Sequence, residues 1–292
     1  MAELLNYEVL NRVREKLFAA GVSFPVLVGN ADSPADRMTL MAITLLPDFK
    51  RFSIRQHFGE FSLPESKRAF NECLRAFDTL ARTVPADTFQ DSDDKEAEDA
   101  VRSFVMVSAK QLEKDPEIAS RMSEILQSIA ASQQSVAALP RVVQHRDASP
   151  SNWRFTQVND QSFISFIDLE TLGLARRGWD EGRLFTLLCL DSGKQAEFLS
   201  AVMNHPSFED KEAKIYFWRT VVVRSLRELY LLESGRYDNL LKKLESAEAL
   251  ATKRQIYDAL KRTLLDRAQP ELRALLGEQR SQVSTRESSV EK

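Results

Sequence analysis

The segment from Pro140 to Glu170 reads PRVVQHRDASPSNWRFTQVNDQSFISFIDLE, and the spacing of its polar residues decides how the whole chain is read. His145, Arg146 and Asp147 are followed by four residues and then Asn152, and the apolar run Phe163 to Ile167 (FISFI) then delivers Asp168. Asp147 and Asn152 are close enough for a tight loop whose two ends face one cleft. An apolar strand pairing back over Gln161 to Ile167 brings Asp168 to the same cleft. Val142 and Val143 before the loop, with Trp153 and Phe155 after it, anchor the loop on a core.

The residue types at this H-R-D-x-x-x-x-N spacing suit phosphoryl transfer. A hydroxyl is a weak nucleophile, so a carboxylate must orient it and accept its proton, and Asp147 is placed for that role. The phosphates require magnesium, which takes oxygen ligands in near-octahedral geometry. Asn152 and Asp168 can supply them.

At these residues the chain resembles the aminoglycoside phosphotransferase and choline kinase branch of the protein-kinase-like fold. That family carries H-x-D-x-x-P-x-N, a hairpin, and then I-D-[WFL]-E; this chain has HRDASPSN at 145–152 and IDLE at 167–170. Residues 178–184, GWDEGRL, resemble the family's YDLARL segment. The resemblance spans Asn6 to Leu190. It implies an α+β, mainly helical fold with a kinase-like large lobe, ATP as donor, Mg2+ as cofactor and a small-molecule hydroxyl as acceptor. It also implies that Asp180 braces the loop and that His145 is structural, its ring bonding the backbone near Asp168.

By the same resemblance, the N-terminal region is the second half of a nucleotide-binding small lobe. A helix runs from Asn6 to Ala20 with Gly21 as its cap, and strands follow at Phe24 to Val28 and Met38 to Leu46. Backbone groups of Thr44, Leu45 and Leu46 would meet the adenine edge, and Glu8 would be the small-lobe glutamate. No Gly-rich loop or lysine strand is visible ahead of that helix, so a reduced N-terminal nucleotide lobe and impaired turnover are expected. An uncovered small-lobe face would recruit a protein partner or a second copy of the chain. The expected organisation is a partial small lobe at 1–50, a helical large lobe at 51–276 and a disordered tail at 277–292.

Composition agrees with one large domain or two lobes: 292 residues, 43% of them hydrophobic, with only 9 Gly and 10 Pro, which favours helix. A formal charge of −3 argues against a general nucleic-acid binder. The two cysteines, Cys73 and Cys189, sit in apolar helical patterns, as buried thiols in a reducing compartment do. The start MAELLNYEVL has no signal-peptide pattern, and no stretch approaches the roughly 20 apolar residues of a membrane span. A cytoplasmic protein is expected.

Elsewhere, Ser62 to Glu65 reads as a capping box opening a helix with Ala69, Phe70, Cys73, Leu74, Phe77 and Leu80 on its core face. The acidic run from Asp87 to Asp99 reads either as a solvated linker or as an attractor for a cationic substrate. Helices follow around 101–112, 118–129, 183–190, 195–203, 214–232, 237–248 and 253–266. His57 and His205 read as surface histidines. Trp218 and Arg219 either pack or line a substrate pocket. Three functions stay open: a small-molecule phosphotransferase, a catalytically impaired kinase-like domain serving as a binding or regulatory module, and an unrelated helical interaction protein carrying the motif by accident.

Overall fold

The computed structural model describes residues 9–24, 53–60, 66–89, 94–158 and 161–277. In chain order the elements are α1 Arg14–Ala19, β1 Val22–Ser23, α2 Ile54–His57, α3 Ser66–Thr83, α4 Asp94–Leu112, α5 Pro116–Ala137, β2 Arg141–Gln144, β3 Trp153–Val158, β4 Gln161–Phe166, β5 Gly173–Arg176, α6 Trp179–Leu187, α7 Ser192–Met203, α8 Lys211–Glu233, α9 Asp238–Leu241 and α10 Ser246–Arg262. The last helix runs on through a π-helical turn at Thr263–Ala268. This is the mainly helical α+β architecture expected from the sequence.

Two small sheets carry the motif segment. β3 and β4 form an antiparallel hairpin in the register Trp153 to Phe166 and Val158 to Gln161, and β1 joins β4 in parallel. β2 and β5 pair antiparallel from Arg141 and Arg176 to Gln144 and Gly173. Gly21 is what allows β1 to reach β4. It sits at φ +76°, and a Cβ there would stand 2.7 Å from the Ser162 carbonyl oxygen, so a larger residue would push the strands apart.

Among the helices, α8 packs against α4, α5, α6 and α10, with Ile215, Phe217, Val221, Val222, Leu226 and Leu229 all fully enclosed. A helix enclosed on all faces is the centre of its domain. α6 crosses it at Gly182, where a Cβ would lie 2.9 Å from the Thr220 Cβ. The expected α3 stripe is core throughout, and α5 starts under Asp115, whose carboxylate accepts the Glu117 and Ile118 amides at 3.0 and 3.1 Å. Cys73 and Cys189 are buried free thiols, and Trp218 is packing, with Phe217 and Phe185 rings 5.0 and 5.5 Å away.

Phe166 links this core to the motif. It is buried, stacks on Phe77 at 5.6 Å and touches the His145 ring at 5.4 Å. Replacing it with alanine should cost about 3–5 kcal/mol, read as a lowered urea midpoint. Phe163, on the other face of β4 beside the exposed Phe18, should cost much less on the same change.

Several expectations need correction. The acidic run is not a linker throughout: Ala86–Thr88 is a 3-10 turn and the chain is helical from Asp94, where Lys95, Glu96, Ala97, Glu98 and Ala100 are good helix formers. The helix expected at 237–248 is broken. Gly235 at φ +76° ends α8, α9 is one turn, and the Leu244 amide turns back to the Leu241 carbonyl at 2.9 Å before α10 starts. The inward residues Leu240, Leu241 and Leu244 have no inward successor until Ala249, since Ala247, three residues after Leu244, is exposed. Gly277 is still helical, so the last helix outruns its expected end.

His57 is half-buried rather than on the open surface. α2 docks through buried Ile54 and Phe58, carrying the His57 ring against Phe58 and Tyr237 at 5.0 and 5.7 Å. Burial lowers its pKa below the usual value. His205 is half-buried, its Nδ1 accepting the Ser207 amide at 3.3 Å. The capping box, the strands at 24–28 and 38–46 beyond Phe24, and the tail past Gly277 lie outside the described residues.

Candidate active site

The loop between β2 and β3 is held by its backbone and by the two polar residues that begin and end the motif. The Asp147 carbonyl accepts the Ser149 amide at 2.7 Å and Asn152 Nδ2 at 3.0 Å, and the Asn152 carbonyl accepts the Ile167 amide at 3.0 Å. Asn152 Nδ2 is also 3.5 Å from Asp168 Oδ2. The structure therefore brings Asp147, Asn152 and Asp168 to one place. Arg146 and Asp168 are the two non-glycine residues with positive φ among the described residues, at 66° and 58°. Such backbone strain concentrates where a side chain must be aimed.

His145 is fully buried and its ring bridges the two motifs. Nε2 donates to the Ile167 carbonyl at 2.8 Å and Nδ1 accepts the Asp147 amide at 3.3 Å. That pattern is a neutral imidazole, and burial lowers the His145 pKa while the Ile167 carbonyl opposes it. Asp180, at the start of α6, accepts the His145 amide at 2.8 Å, and its own amide donates to Gln144 Oε1 at 3.3 Å. Both residues lie against the loop.

Burial first, and the charge of Glu181 second, push the Asp180 carboxyl from 3.8 up to about 7, with the His145 amide opposing. Between those values the folded protein keeps a proton that the unfolded chain has released, so stability falls as pH rises through this window and levels off above it. Asp180→Asn retains an oxygen for the His145 amide and cannot ionise. The stability of the wild type relative to this variant should drop by up to about 4 kcal/mol from pH 4 to pH 7 in urea unfolding. A rise would contradict the assignment.

Asn152 is buried, with Nδ2 turned to Asp147 and Asp168, while its Oδ1 accepts the Ser151 hydroxyl at 3.3 Å, and Asp168 is exposed. An amide oxygen beside a charged carboxylate suits magnesium, which usually completes its shell with phosphates and water. No group of three or more His, Cys, Asp or Glu able to hold a metal alone exists among the described residues. The residues fit an ion shared with a phosphate ligand.

Other neighbours of the site escaped the sequence reading. Arg183 of α6 makes an ion pair with Asp147 Oδ1, and Arg177 bridges Asp78 of α3 to Glu181 of α6. The Trp179 Nε1 donates to the Arg146 carbonyl at 3.2 Å, and Arg224 of α8 lies over the Trp179 ring. Only the YDLARL-like spacing of Gly178 to Leu184 hinted at Arg183. A surface hollow lined by Glu124, Ser128, Arg273 and Leu276 contains none of these residues. Glu8, Thr44, Leu45 and Leu46 lie outside the described residues. No helix among the described residues is long and apolar enough to cross a membrane.

No curated protein matches the sequence. Among solved structures, the fold is similar to a choline/ethanolamine kinase family protein from Mesorhizobium loti, at 14% identity over 93% of this chain and 82% of that chain, TM-score 0.53. It is also similar to the GDP complex of an aminoglycoside 2'-phosphotransferase-IIIa mutant, at 13% identity over 87% of this chain and 81% of that chain, TM-score 0.53. The sequence itself matches the phosphotransferase enzyme family from residue 14 to residue 218, which removes the accidental-motif reading. The chain belongs to the phosphotransferase enzyme family.

Proposed function

We propose that the protein transfers the γ-phosphoryl group of ATP to the hydroxyl of a small molecule. The observation that carries this reading is the convergence of Asp147, Asn152 and Asp168 around the Asn152 amide. In this reading Asp147 orients the acceptor hydroxyl and takes its proton as the new bond to phosphorus forms. Asn152 and Asp168 would hold magnesium, which supplies charge neutralisation on the phosphates. His145 and Asp180 keep the loop's geometry and move no proton. The chain's residues thus contribute mainly positioning and electrostatics, which is where phosphoryl transfer gains most of its rate.

The two buried thiols suit a reducing, cytoplasmic setting. The test is phosphorus NMR of the full chain with ATP, magnesium and a panel of hydroxyl compounds. A new phosphate-ester resonance with matching ADP, absent without magnesium, is expected. ATP left intact beside every acceptor, in a folded sample, would favour the impaired, regulatory reading.

A further inference from the structure

Around Asp147 the structure holds more positive charge than proton acceptance by a carboxylate needs. Arg224 is 5% exposed, its guanidinium 4.4 Å from the Trp179 ring centroid. Its Nε has no hydrogen-bond partner, and no carboxylate pairs with it among the described residues. Arg183 also has an unpartnered Nε, its terminal nitrogen being paired with Asp147. Arg227, one turn along α8, is half-buried. The nearby acids are Asp147, engaged by Arg183, and Glu228, whose carboxylate accepts the Tyr237 hydroxyl.

Arg183 and Arg224 thus stand among two carboxylates that are already engaged, and Arg227, whose guanidinium lies 5.8 Å from the Phe104 ring centroid, adds its charge to theirs. Burial, and then the charges of Arg183 and Arg227, push the Arg224 pKa well below its usual value. Arginine does not give up its proton in proteins, so Arg224 stays a buried cation in want of an anion. It is also fixed to the motif, because Trp179 beneath it donates to the Arg146 carbonyl.

We propose that the acceptor carries an anionic group, carboxylate or phosphate, which Arg224 receives together with Arg183 and Arg227 so that the hydroxyl is presented to Asp147. This rests on the reading of Asp147 as the residue that accepts the hydroxyl proton. The planar guanidinium fork matches the oxygens of either anion, and the same charges repel a cationic acceptor such as an amino sugar or an amino alcohol. An anion on Arg183 would also compete for the arginine that now occupies Asp147.

The test is calorimetric titration of the full chain, without nucleotide, with glycerol 3-phosphate, glycerate, glycerol and ethanolamine. One or both anionic compounds should bind at least about tenfold more tightly than the other two, and which one does so separates phosphate from carboxylate. Arg224→Met and Arg227→Met should each weaken that binding about tenfold, while Arg273→Met, in the hollow that contains no residue of the site, leaves it unchanged. Arg227, half-buried, keeps the test open if the Arg224 variant does not fold. The proposal is overturned if the anions bind no better than glycerol, if ethanolamine binds best, if binding survives both arginine variants, or if it falls equally with Arg273→Met. Anion binding in a protein that fails to bind ATP would leave the arginine site for an anion standing and remove the phosphotransferase reading, and with it the anion's part as acceptor.

Discussion

Asp147→Asn should lower phosphoryl transfer by about 10²- to 10⁴-fold while the protein stays folded. The asymmetry follows from how the loop is held. The Asp147 backbone carbonyl and amide make the contacts that shape it, with Ser149, Asn152 and His145, and none of these uses the carboxylate. Among the described residues the carboxylate itself is bound only by Arg183, and both side chains keep some solvent access, 25% and 12% exposed. Losing that ion pair should therefore lower the melting temperature by only a few degrees. A variant with wild-type turnover would show that the hydroxyl proton goes elsewhere.

The loop was legible in the sequence because its parts are near one another along the chain. Five residues from Asp147 to Asn152, and a hairpin from Trp153 to Phe166, leave little freedom in where Asp168 arrives. Helix faces were legible for the same local reason, as the buried stripe of α3 shows. Asp180 needed the resemblance, since nothing local ties residue 180 to residue 145.

What converges from separate elements left little trace. His57 comes from α2, Arg183 from α6, Arg224 and Glu228 from α8, and Tyr237 from the turn after it; only tertiary packing brings them to one cluster. Apart from Arg183, in the YDLARL-like segment, each has an unremarkable sequence neighbourhood. The same holds for Asp78 of α3 and Arg177, between β5 and α6, which form an ion pair although they lie far apart along the chain. Helix breaks were also missed, because the stop after Leu244 depends on which leucines turn inward at the corner.

Asp168→Ala should have the other large effect. Asp168 is exposed, charged and held in left-handed backbone geometry beside Asn152, so its removal takes away the site's charged oxygen donor with little cost to packing. Magnesium bound through one or two carboxylates plus phosphates cannot easily replace such a donor with water, and both nucleotide affinity and transfer should fall by at least about tenfold.

Calorimetric titration of ATP into the wild type and into Asp168→Ala, each with and without magnesium, tests the central claim most directly. The account predicts saturable, magnesium-dependent binding in the wild type that is lost in the variant. Equal binding by both proteins, or none by a folded wild type, would contradict it.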